Sequence, residues 1–268
     1  MAQPIPVEKF EKVRYELADH IAVVTLNRPE VRNALDRQAY SELESAFHHI
    51  QADPEVRVAI VTGVDPAFCS GDDVRAIMLN AQKDSSMTDR MKREPATTPA
   101  AATILDCRKP VIAAVNGAAS GLGADTALAC DFVVASEHAS FTWSYIHRGI
   151  VPDGGAMYFL PRRVGLAKAK ELIFSGRKVD ADEALALGIA DRKASAATLV
   201  ADAQAWAAEL SKGSSTALAL GKTILNQTFE LTSHQVFAQG SQAQGICYSS
   251  AEHREAVMAF LAKSAPKA

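Results

Sequence analysis

Residues 110–160 read PVIAAVNGAASGLGADTALACDFVVASEHASFTWSYIHRGIVPDGGAMYFL. The order of signals is strand, small-residue loop, helix, strand, turn, helix. Residues 111–115 form a short apolar run that stops at Asn116-Gly117, the pattern of a buried strand ending in a turn. Residues 118–123 are mostly small, and residues 124–130 bring the alanines and leucine of a helix. Small residues let a ligand approach the backbone, and a helix N-terminus offers N–H groups with a partial positive charge. Such a place suits a developing oxyanion.

Working outward, residues 21–26 are a β-branched strand closed by Asn27-Arg28-Pro29, with residues 8–17 as its hairpin partner. Asp36 is placed to cap a helix through about residue 50, and residues 56–62 return as a strand. Strand, helix, strand argues for a parallel sheet joined by crossovers, an α/β fold. The turn at residues 67–73 leads to a helix near Val74, residues 80–99 are polar and proline-punctuated, and residues 100–107 are helical. Downstream, residues 132–135 and 140–143 read as strands, and Asp153 is placed to cap a helix through about Phe159. Helices follow over 165–174 and 180–187, the latter stopped by Gly188. Residues 196–210, 215–229, 234–247 and 252–262 are helical in pattern without a strand signal, so the chain divides into a core over 1–193 and a helical region over 194–268.

With 268 residues, 48% hydrophobic and 22% charged, the chain has an ordinary globular composition. A net charge of -3 and the lack of any Lys/Arg run give no basic field for nucleic acid. No apolar stretch has the length that crossing a membrane needs. Residues 1–12 mix prolines and charges, which predicts no secretory signal. Cys69, Cys107, Cys130 and Cys247 are far apart and form no CxxC or Cys/His cluster, so the reading is reduced thiols, a cytoplasmic protein and no metal site. Gly121-Leu122-Gly123 lacks the third glycine of a dinucleotide fingerprint, and Ser120 stands in no GxSxG elbow.

Asn116-Gly117, Gly121-Leu122-Gly123, Asp125 and Cys130-Asp131 resemble, in order, the central segment of the crotonase superfamily, the enoyl-CoA hydratases and isomerases. The resemblance runs from about Tyr15 to Lys263. It implies a spiral of ββα units, a helical C-terminal region that assembles trimers or dimers of trimers, and an acyl-CoA substrate with no other cofactor. It places two backbone oxyanion donors on Asp72, in Phe68-Cys69-Ser70-Gly71-Asp72-Asp73, and on Leu122. Leucine departs from the glycine or alanine usual there and narrows the space beside the thioester. Residues 80–99 are expected to cover the acyl end. Arg28, Arg75, Phe260 and Lys263 match positions that reach the coenzyme A.

The hydratases of the family use two glutamates; the matching positions here hold Asp125 and Tyr145. A phenol with pKa about 10 is a poor carboxylate substitute. A third acid, Asp153, stands in Gly149-Ile150-Val151-Pro152-Asp153-Gly154-Gly155, where hydratases usually carry glycine and several isomerases and aryl-CoA dehalogenases carry aspartate. Asp125, inside an apolar helix, needs a partner or a raised pKa. The resemblance therefore leans to an enoyl-CoA isomerase with Asp153 as acid/base, Asp125 and Tyr145 beside it. The alternatives are an enoyl-CoA hydratase, a hydrolytic aryl-CoA dehalogenase and a non-catalytic acyl-CoA binder.

Overall fold

The computed structural model describes residues 4–78 and 99–264, with the backbone alone given at residues 77–78, 99–100 and 263–264. The segment 80–99 expected over the acyl end lies, its last residue apart, outside the described residues.

The chain opens with an antiparallel hairpin of β1 (Val13–Ala18) and β2 (Ile21–Leu26). Its two-residue turn puts Asp19 and His20 at positive φ, the geometry that matches the twist of paired strands. Asp36 caps α1 (Arg37–Ala52) by accepting from Ala39 N at 2.9 Å. The helix buries Leu43, Phe47 and Ile50, each contributing about 1.5–3 kcal/mol.

From here the chain coils. β3 (Val58–Gly63) turns a corner into the short β4 (Ala67–Cys69), followed by one π-helical turn (Val74–Met78) and, further on, α2 (Pro99–Asp106). β5 (Val111–Val115) turns into β6 (Ala118–Ser120) and α3 (Leu122–Ala129). β7 (Phe132–Ser136) turns into β8 (Ser140–Thr142), a 3-10 turn (Ser144–Arg148) and α4 (Ala156–Val164). Then come α5 (Leu166–Ser175), β9 (Lys178–Asp180), α6 (Ala181–Leu187) and β10 (Arg192–Ala194). The first strands of the coils form a six-stranded sheet in the order β1-β2-β3-β5-β7-β10, and the second strands a four-stranded sheet in the order β4-β6-β8-β9. Strand, corner, strand, helix is the ββα spiral that the resemblance implies.

The large sheet is covered on both faces, which is why its central strands are apolar without alternation. Ala59 and Val61 face the main core with Phe47, Phe68, Ile104 and Trp143. Val58 and Ile60 face a second cluster with Leu199, Ala203 and Ala207 of α7 (Leu199–Leu210). The first helix after residue 194 thus completes a layer of the core; α8 (Ser215–Leu225) docks on the core through buried Lys222, which donates to Asp131 and Lys109 O, and α9 (Ser233–Ser249) and α10 (Ala251–Ser264) follow it. Helix α9 buries no residue, and Phe237 and Met258 are exposed. No helix among the described residues is long and apolar enough to cross a membrane.

One local expectation is corrected. Asp153 does not cap α4: Gly155, at φ 110, takes that place, and the helix runs through Pro161 to Val164. Tandem glycines let the chain turn two residues later than an aspartate cap would.

Candidate active site

The site is assembled from the corners of three successive coils. In the first, the turn after β4 is held by Leu35, whose N–H donates to Gly71 O at 2.8 Å and whose carbonyl accepts from Asp73 N at 2.9 Å. Asp72 N lies between these two bonds and donates to no acceptor among the described residues. In the second coil, Gly121 at φ 54 starts α3, so Leu122 N stands at the helix's positive end. Gly71 brings the two amides together: a Cβ there would lie 3.4 Å from Leu122 N and 2.8 Å from Ser120 O. Two neighbouring N–H donors are the arrangement an oxyanion requires.

Asp125, one turn into α3, is fully buried. Its Oδ1 accepts from Trp143 Nε1 at 3.0 Å and its Oδ2 from Tyr145 OH at 2.7 Å. Burial pushes its pKa up to about 7 despite those two donors, and the charge of Asp153 adds to the rise. Tyr145 is in turn raised by burial and by the carboxylate it serves, so its proton stays on the phenol. Its ring stands 3.7 Å from where a Cβ on Gly121 would be, which makes it the wall behind the oxyanion loop.

In the third coil, Gly154 lies directly on α3. A Cβ there would be 2.1 Å from Leu122 Cδ1 and 2.5 Å from Asp125 Oδ2, so any larger residue must displace those two side chains. That contact sets Asp153 at the mouth of the site. Asp153 is exposed and lines a cavity of about 200 Å3 with Ala101, Leu105, Gly155, Tyr158 and Phe159. A larger cavity, about 450 Å3, lies between α3, α4 and α8, but neither the amides nor Asp153 line it. Of the site residues Asp153 alone lines the smaller one, beside Gly154 and Gly155. The charge of Asp153 reaches Asp72, Asp125, Tyr145 and Tyr40, raising each.

The structure therefore brings together Asp72, Leu122, Asp125, Tyr145 and Asp153. Arg28 is turned inward: its guanidinium donates to Ala34 O at 2.6 Å and bridges Asp36 at 3.2 Å and Asp73 at 3.1 Å. It ties the residue 28–36 loop to the oxyanion turn rather than facing solvent. Arg75 is exposed just beyond that turn. Phe260 is 68% exposed on α10, which packs on α9, and the side chain of Lys263 lies outside the described residues. Sequence reasoning missed Trp143 and Tyr40; the Tyr40 hydroxyl donates to Asp72 Oδ1. Among the described residues no three His, Cys, Asp or Glu side chains gather as a metal site would require.

Two amides on adjoining turns with carboxyl groups close by suit thioester enolate chemistry, and the family model described as Enoyl-CoA hydratase/isomerase matches residues 16–267. This chain belongs to the enoyl-CoA hydratase/isomerase family. A probable enoyl-CoA hydratase of Rhodobacter capsulatus is 36% identical over 257 residues, covering 96% of this chain and 97% of that one. A short-chain-enoyl-CoA hydratase of Clostridium acetobutylicum is 31% identical, covering 95% and 96%. The crystal structure of an enoyl-CoA hydratase/isomerase from Cupriavidus metallidurans superimposes with a TM-score of 0.86 at 32% identity, covering 96% of this chain and 95% of that one. As an enoyl-CoA hydratase/isomerase family member, the chain is an enzyme of acyl-CoA thioesters.

Proposed function

We propose that this enzyme adds water to a 2-enoyl-CoA, with the thioester enolate held by the N–H groups of Asp72 and Leu122 and proton transfer carried by Asp153. The observation that supports the reading is the approach of Gly71 to Leu122 N, which puts the turn carrying the Asp72 amide against the start of α3, while Gly154, next to Asp153, packs on the Leu122 side chain. Each such donor contributes about 3 kcal/mol when it meets charge that develops only in the transition state. The names of the relatives favour hydration over isomerisation as the net reaction. Isomerisation by Asp153 alone is the second reading. It is favoured by Tyr145, which stands at the second glutamate position and spends its hydroxyl on Asp125.

Asp125 serves as an anchor in this reading: Trp143 and Tyr145 occupy its two oxygens. Arg75, Phe260 and Lys263 remain the candidate contacts of the nucleotide. The exposed apolar side chains of α9 and α10, Phe237, Ile246 and Met258 among them, fit burial against further copies in a trimer or a dimer of trimers. Four unpaired cysteines fit a reducing compartment such as the cytoplasm.

The test is incubation with crotonyl-CoA and with a 3-enoyl-CoA in deuterated water, followed by mass and double-bond position. Net gain of one water on crotonyl-CoA is expected. Bond migration with deuterium uptake and no gain of water would establish the isomerase instead. Asp153→Asn should lower either turnover at least 100-fold with unchanged melting, and full turnover in that variant would remove Asp153 from the mechanism.

A further inference from the structure

The residue that offers the first oxyanion N–H also carries a carboxyl group, and that carboxyl is built into the site. Asp72 Oδ1 accepts from the hydroxyl of Tyr40 on α1, while Oδ2 has no partner among the described residues. Around it stand Tyr40 from α1, Cys69 from β4, Tyr145 and Arg148 from the 3-10 turn, and Asp153 from the loop before α4. Position 145, where a hydratase of this family would present its second acid, holds a phenol bound to Asp125.

Resting on the hydration reading above, we infer that Asp72 supplies the second carboxyl group of the reaction, as the acid that protonates C2 while Asp153 acts as base toward water. The carboxyl and the oxyanion N–H belong to one residue, so the acid stands within one side chain's reach of the carbonyl that the amide would hold, and C2 is bonded to that carbonyl. The carboxylate of Asp153 removes a proton from water as the water oxygen bonds to C3. The electron pair of the double bond passes into the enolate, whose oxygen the Asp72 and Leu122 amides hold. Collapse of the enolate takes the proton from Asp72 Oδ2 onto C2. The proton gained by Asp153 and the one lost by Asp72 then balance through solvent, so water is the sole co-reactant.

Burial and the neighbouring charge of Asp153 raise the pKa of Asp72, while the Tyr40 hydrogen bond and the charge of Arg148 oppose the rise. A carboxyl whose pKa is raised gives up its proton less readily to water and is better matched to a general acid's task than an ordinary one. Ground-state sense supports the same assignment: an ionised carboxylate next to an oxyanion hole would oppose the enolate, whereas a protonated one does not.

The test is Asp72→Asn in the full-length enzyme, which keeps the backbone N–H and the side-chain shape. Hydration of crotonyl-CoA should fall at least 100-fold while the Kd of the saturated butyryl-CoA stays within about threefold. In the wild type, kcat should decline as pH rises through the Asp72 titration; the residual activity of the variant should lack that limb. Tyr40→Phe removes a donor that stabilises the carboxylate, so the limb should move to higher pH. Hydration within threefold of wild type in Asp72→Asn overturns the inference. So does joint loss of hydration and butyryl-CoA binding, which would make the carboxyl a support of the turn alone, and so does an unmoved limb in Tyr40→Phe. A wild type that binds butyryl-CoA but neither hydrates crotonyl-CoA nor exchanges α-protons overturns the hydration reading itself, and the inference with it.

Discussion

Tyr145 donates its phenolic proton to Asp125 Oδ2 across 2.7 Å, joining two corners of the spiral through a bond that is buried on both sides. Tyr145→Phe leaves Asp125 with Trp143 as its one side-chain donor, a loss of about 1–3 kcal/mol for a buried acceptor left without its partner. Thermal unfolding should therefore show a lower Tm, while crotonyl-CoA turnover stays within tenfold. A thousandfold loss of turnover at unchanged Tm would instead make the phenol a proton carrier.

Asp125 makes stability depend on pH in a direction opposite to that of most carboxylates. The native state holds its proton up to about 7, whereas the unfolded chain releases it near the ordinary value of 3.8. Between these values the native state binds more protons, so stability falls as pH rises, by about 1.4 kcal/mol per pH unit. It is fully present below the unfolded value and is lost as pH climbs through the folded one. Asp125→Asn cannot ionise and lacks this slope. Urea unfolding at pH 5 and pH 8 should show the wild type losing about 2–3 kcal/mol more than the variant, and parallel losses would contradict the assignment.

Gly154→Ala drives a methyl group into Leu122 Cδ1 and Asp125 Oδ2, both on buried side chains. Overpacking of this kind costs about 1–3 kcal/mol. Beyond the fall in Tm, the displaced Leu122 should weaken butyryl-CoA binding, measurable by calorimetry, because its amide is one of the two proposed thioester donors.

Arg28→Lys separates two roles for that position. Lysine cannot serve Ala34, Asp36 and Asp73 together, and the two carboxylates would then repel at a site only 12–21% exposed. A Tm loss of about 2 kcal/mol equivalent with KM for CoA thioesters unchanged within threefold is expected. A raised KM at unchanged Tm would return Arg28 to the coenzyme A phosphates.

The parts of this molecule that the sequence made readable are those whose burial leaves a pattern. Ile21–Leu26 and Val111–Val115 are strands with the bounds their apolar runs predict, because both faces of the sheet are covered. Asp36 caps α1 as its position predicts. β4, β6 and β9 are three residues each and take their shape from neighbouring coils, so no periodicity marks them. The same holds at the site. The order of motifs singles out Asp72 and Leu122, and in the structure Gly71, beside Asp72, approaches Leu122 N. The hold of Trp143 on Asp125 joins residues 18 apart across two coils, and no local signal announces it. Arg28 looks like a surface cation in the sequence because its acidic partner Asp73 lies 45 residues away.

The corners after β4, β6 and β8 stack one above another because those strands are neighbours in one sheet, about 4.8 Å apart. Each corner thus overlooks the same small volume from an adjacent storey. A group lost from one storey can be replaced from the next without moving any strand, since the replacement needs only a side chain and no new backbone path. In this chain Asp72, Asp125 and Asp153 follow β4, β6 and β8 in turn, so each storey lends one carboxyl group to that volume.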